Sequence, residues 1–110
     1  MASFEDLRRY ALTLPEVREV PWYAETTLTA RGKGFAYSWR GRALLRLGRE
    51  RLEFLLEVRP DTFGKFALPG GNWASVDLAH LEEDELQGLV REAWAGVVPK
   101  KLARGLTSLS

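Results

Sequence analysis

The chain opens with apolar residues at helical spacing: Phe4, Leu7, Tyr10, Ala11 and Leu14. Ser3 stands before them as an N-cap, with Asp6 three residues on. Pro15 pushes its predecessor out of the helical region and ends that helix. The period then changes. Thr26–Ala30 is rich in β-branched residues, and Phe35–Trp39 and Ala43–Leu47 alternate. Leu52–Val58 also alternates, with Leu52, Phe54, Leu56 and Val58 on one face. A short helix burying Leu52, Leu55 and Leu56 is the rival reading there, but the period of two is cleaner and predicts a fourth strand. Glycine-bearing turns at 31–34, 40–42 and 48–51 separate these strands.

Pro60 suits the first turn of a short helix reaching Phe66. A turn-rich loop, Leu68–Asn72, leads into a strand over Trp73–Leu78. Glu82–Glu85 places four anions at the positive end of a last helix, and Leu81 and Leu86 are spaced as a hydrophobic staple. That helix carries Leu86, Leu89, Val90, Ala93, Trp94, Val97 and Val98 on one stripe. Pro99 interrupts it; Lys100–Leu106 adds a turn or two, and residues 107–110 are expected to fray. The predicted order is α-β-β-β-β-α-β-α. Short turns imply antiparallel pairing, and one-sided helices must cover one sheet face. The fold class is therefore α+β, a two-layer sandwich with helices on one side of an antiparallel sheet.

At 110 residues this reads as a single domain over 1–110. Its 45% hydrophobic content supports a packed core. The absence of cysteine excludes disulfides, thiolate metal sites and a cysteine nucleophile, and fits a cytoplasmic location. The start of the sequence lacks the basic head and apolar run of a signal peptide, and no apolar segment is long enough to span a membrane.

Charge changes the picture more than composition does. The whole chain carries only +1, yet residues 31–51 hold seven cations and one anion, Glu50. Phe35, Tyr37 and Trp39 are interleaved with them. Basic glycine turns suit phosphate contact, because cations release counterions and glycine lets backbone amides approach an anion. The candidate contacts are Arg31, Lys33, Arg40, Arg42, Arg49 and Arg51, with Lys100 and Lys101 as a second group. In a four-strand meander, turns 31–34 and 48–51 would lie side by side as two prongs, while turn 40–42 lies at the far end of the strand. The competing reading is a solvated meander whose arginines pair with nearby glutamates. Lys100, Lys101 and Arg104 are better explained as cations at a helix C-terminus, unless the fold brings them beside the turns.

Trp22 and Tyr23 follow Pro21 before a strand and are the candidate stacking or interface pair; Trp94 is expected in the core. Leu68–Asn72 matches no phosphate-binding fingerprint and reads as a turn. His80 is the single histidine, and no nucleophile, acid/base pair or metal-ligand spacing accompanies it. No cofactor, metal site or catalytic activity is expected.

The chain resembles the MmcQ/YjbR family. The resemblance is carried by Leu14-Pro15-Glu16-Val17, Pro21-Trp22, Gly32-Lys33-Gly34-Phe35-Ala36 and Val58-Arg59-Pro60-Asp61. It continues through Trp73, Val76-Asp77-Leu78, Glu85-Leu86, Glu92-Ala93-Trp94 and Pro99-Lys100-Lys101-Leu102. Trp39-Arg40-Gly41-Arg42 is more basic, and the 68–72 loop shorter, than the family pattern. The resemblance implies a frataxin-like arrangement of helices on an antiparallel sheet. It also implies a DNA-binding double-wing protein, without assigned site residues. The acidic ridge of frataxins is not matched: Glu5 and Asp6 are balanced by Arg8 and Arg9. The functional expectation is weak, phosphate-mediated DNA binding by a non-enzymatic protein. The alternative is a protein-interaction module or homodimer.

Overall fold

The computed structural model describes residues 2–22, 24–67 and 72–109, with side chains described as far as Arg104. Helix α1 covers Phe4–Ala11 and begins on a complete capping box: the Ser3 hydroxyl accepts from Asp6 N–H while the Asp6 carboxylate accepts from Ser3 N–H. Those bonds hold the Asp6 carboxyl below its ordinary pKa, the Ser3 backbone bond first and its hydroxyl second.

Strands β1 (Val17–Trp22), β2 (Glu25–Ala30), β3 (Lys33–Trp39) and β4 (Arg42–Leu47) form an antiparallel meander. Helix α2 (Arg49–Val58) leaves it; β5 (Phe63–Phe66) and β6 (Asn72–Val76) return as a hairpin. A short 3-10 turn over Leu78–His80 leads to α3 (Glu83–Ala95) and α4 (Lys100–Leu109). The six-stranded sheet has the order β1-β2-β3-β4-β6-β5, antiparallel throughout.

Three elements differ from the sequence expectation, each for a physical reason. Val17–Trp22 was not expected to be a strand, yet it forms the sheet edge. Its residues are mostly exposed and include Pro21, so it carries no alternating apolar signal. Leu52–Val58 is helical, not a strand. Leu52 and Leu55 point into the core while Phe54 and Val58 are 53% and 50% exposed. The apparent period of two was an accident of five apolar residues in seven; Arg49 and Glu53, paired at i and i+4, belong to the helix. Pro60 starts no helix. Thr62 and Phe63 N–H both donate to the Arg59 carbonyl, closing a turn that delivers Phe63 to β5 opposite Val76.

Helices α1, α2 and α3 pack on one face of the sheet. The core there joins Leu28, Ala36, Leu45, Ala74 and Val76 to Leu7, Leu52, Leu86, Val90 and Trp94. Trp94 is fully buried and its indole N–H donates to the Pro15 carbonyl at 3.0 Å. Leu81 and Leu86 flank the Glu82 N-cap of α3 as a staple, and Glu82 and Glu85 close a second capping box. Phe35 and Ala36 are both buried at a bulge, where the β2–β3 register slips between Leu28 and Thr29.

Candidate nucleic-acid interface on the open sheet face

The alternation that sends Ala36, Ala43, Leu45, Ala74 and Val76 into the helical core sends their neighbours to the other face. Trp22, Tyr37, Trp39, Phe66 and Trp73 meet there in one aromatic cluster. Tyr37 stands edge-on between Trp22 and Trp73, at centroid distances of 4.6 and 4.9 Å. Trp39 contacts Trp22 at 5.5 Å and Phe66 at 5.9 Å. The cluster closes over Leu44, which is fully buried on this face without a helix above it. Trp73 is 4% exposed, and its indole N–H has no hydrogen-bond partner among the described residues.

Gly34 makes this packing possible. A Cβ at that position would lie 2.5 Å from the Tyr37 hydroxyl and 2.9 Å from two ring carbons, so the Tyr37 ring lies over a bare backbone.

Arginines surround the cluster. Arg18, Arg42 and Arg46 alternate onto this face from β1 and β4, and Arg40 stacks over the Trp39 ring at 5.2 Å. The Arg42 guanidinium donates to the Ser75 hydroxyl at 2.8 Å and lies 3.9 Å from Asp77. Arg18, Arg40 and Arg46 form no ion pair among the described residues. Beside Arg18, a shallow cleft of about 440 Å³ is lined by Glu16, Val20, Thr29, Arg31 and Gly32.

The β2–β3 and β3–β4 turns are minimal. Arg31-Gly32 and Arg40-Gly41 both have positive φ at the two central residues, at 53° and 79° and at 49° and 80°. That is the type I′ hairpin, whose twist matches the strands. Arginine is strained there, by roughly 1–2 kcal/mol each. Arg31 is tied down by a bidentate pair with Glu16, itself at φ 63°. Arg40 is anchored through its backbone: its N–H donates to the Glu25 carboxylate, which also accepts from the Ser38 hydroxyl. The Glu25 carboxyl is held below its ordinary pKa, first by the Arg40 N–H and then by the Ser38 hydroxyl.

The residues singled out in the sequence are thereby divided. Arg31, Lys33, Arg40 and Arg42 do lie at the turns, but Arg31 and Arg42 are engaged by Glu16 and by Ser75 and Asp77. Arg49 and Arg51 are not on a turn. They lie on α2, paired with Glu53 and with Glu92 of α3, so the expected pair of prongs does not form. Lys100 and Lys101 open α4 rather than close α3, and occupy a positive helix end where cations are disfavoured. They belong to the helical layer with Leu102 and Ala103. Trp22 joins the cluster; Tyr23 and the loop 68–71 lie outside the described residues. Arg18 and Arg46 were overlooked. Arg46 was legible as the polar member of β4's open face, whereas Arg18 was hidden with its unrecognised strand.

His80 is half-exposed, 3.7 Å from Asp77 and 3.8 Å from Asp61. Among the described residues no group of three or more His, Cys, Asp or Glu side chains is placed to hold a metal ion. No helix among them is long and apolar enough to cross a membrane.

The family model described as YjbR matches residues 12–95, from the turn after α1 to the end of α3. The chain belongs to the YjbR family. Its fold is similar to the crystal structure of Deinococcus radiodurans protein DR2400, which carries the family-model domain DUF419. The two align with a TM-score of 0.79 over 97% of this chain and 89% of that one, at 20% identity. Identity that low shows a shared fold alone. Among curated proteins none matches the chain. The matched family segment contains all six strands, and so the whole open face.

Proposed function

We propose that this YjbR-family protein is a non-enzymatic, cytoplasmic DNA-binding domain that holds phosphates weakly at the open face of its sheet. One observation carries the reading: Arg18 and Arg46 present guanidiniums at this face without a carboxylate in ion-pair contact among the described residues, and Arg40 adds a third at the turn, where its charge also acts on Glu25. Elsewhere the arginines of α1 and α2 and Arg59 pair with Glu or Asp, whereas Arg91 of α3, like the open-face arginines, has no ion pair among the described residues. The acidic start of α3, Glu82–Glu85, belongs to the helical layer and does not oppose DNA approaching the other side.

Fluorescence anisotropy of labelled DNA at several salt concentrations tests this. Three or four phosphate contacts give a slope of log affinity against log salt of about −3 on a duplex, at roughly 0.9 per contact, and of about −2 to −3 on a single strand, at roughly 0.7. Reversing Arg18, Arg40 and Arg46 together to Glu is expected to abolish binding and leave the circular dichroism spectrum unchanged. Wild-type protein that fails to bind at low salt would sink the reading.

A further inference from the structure

We infer that the DNA held at this face is single-stranded, with bases stacking on the aromatic cluster. The inference rests on the phosphate-binding reading above and sharpens it. Two features point the same way.

The first is shape. A protein that enters a duplex groove needs a protruding element, a helix or an extended ribbon. Here the β2–β3 and β3–β4 turns, both fully described, are two-residue type I′ turns, and the expected second prong is part of a helix. The open face is a broad shallow surface, six strands wide, or roughly 25 Å at about 4.8 Å per strand. Such a surface is about twice as broad as the roughly 12 Å major groove that admits a single helix or a two-stranded ribbon. It matches a strand whose bases are already splayed out.

The second is chemistry. A sequence-tolerant single-strand site pairs a cationic track with ring faces, because every base has a π-face. Trp22, Trp39, Tyr37 and Phe66 are only partly buried, so portions of their rings meet solvent. The cations frame them: Arg18 on the edge strand and Arg46 opposite Trp73, with Arg42 opposite Trp39 but already held by Ser75 and Asp77. Arg40 already occupies the Trp39 ring by stacking, the contact a base would replace or extend.

The test uses the full chain and two fluorescein-labelled probes at matched salt: an oligothymidylate of about 20 nucleotides and a duplex of the same length. The expected result is affinity for the single strand at least tenfold above that for the duplex, with quenching of tryptophan emission on binding. Trp39→Ala is expected to weaken single-strand binding roughly tenfold without changing the salt slope. Trp39→Phe, which keeps a ring, should retain most of it. The wild-type comparison needs no variant, so a misfolded Trp39→Ala leaves the answer intact. Equal or tighter duplex binding, or binding without quenching, overturns the single-strand inference while the phosphate reading stands. Binding to neither probe overturns both.

Discussion

The two faces of this sheet are built from the same strands and closed in different ways. On one side Leu28, Ala36, Leu45, Ala74 and Val76 are small or aliphatic, and three helices supply the other half of the packing. On the other side Trp22, Tyr37, Trp39, Phe66 and Trp73 supply their own cover, ring against ring, over Leu44. Aliphatic residues have no polar end and gain only by complete burial, so they need a second layer. Aromatic residues can bury one surface and leave another in water, and the indole and phenol tips tolerate it. The helical face is thus committed to stability. The open face keeps part of its chemistry available.

That contrast yields a graded series of tests. The largest effect is expected at Trp94→Ala. It removes a fully buried ring and the bond to Pro15, and should cost about 3–5 kcal/mol in urea denaturation. A cost near zero would mean that α3 does not close the core as described.

Gly34→Ala comes next. The new methyl drives Tyr37 from its place between Trp22 and Trp73, costing about 1–3 kcal/mol and shifting tryptophan emission. An unchanged spectrum would show that the open face does not pack as a cluster.

Arg40→Asn should move stability and binding in opposite directions. Asn-Gly suits a type I′ turn better than Arg-Gly, which favours the variant by about 0.5–1 kcal/mol. DNA affinity should fall, since a cation is lost beside Trp39. A variant that gains stability and keeps its affinity would remove Arg40 from the interface.

The smallest effect concerns pH. Glu25 has a folded-state pKa below its ordinary value of 4.5, so its ionised form favours the folded state. Its contribution is present above pH 4.5 and is lost as pH falls through the lowered pKa. Amide exchange at Arg40 N–H should accelerate relative to other hairpin amides over that window. The same relative protection before and after Glu25 protonates would show that the carboxylate does not hold the turn.

Much of this was legible in local sequence, and what was not has a common cause. The Ser3 capping box, the Leu81–Leu86 staple, strands β2 to β4 and the α3 stripe depend on neighbours a few residues apart. Capping, periodicity and glycine turns act at that range, so sequence alone determines them, together with the α+β class and one-sided helices. Only tertiary structure decided the rest. β1 is a strand because β2 offers it hydrogen bonds, not because its exposed residues alternate. Leu52–Val58 is a helix because Leu52 and Leu55 meet the core at helical spacing, a choice its composition left open. Phe63–Phe66 is a strand because β6 pairs with it. The same holds for the site: arginines at positions 31, 40, 46, 49 and 51 are chemically alike in sequence. Which of them meet Glu16, Glu53 or Glu92, and which stand beside tryptophans, depends on residues brought together from distant parts of the chain. A side chain's charge is written in the sequence; whether that charge is already paired is a property of the fold.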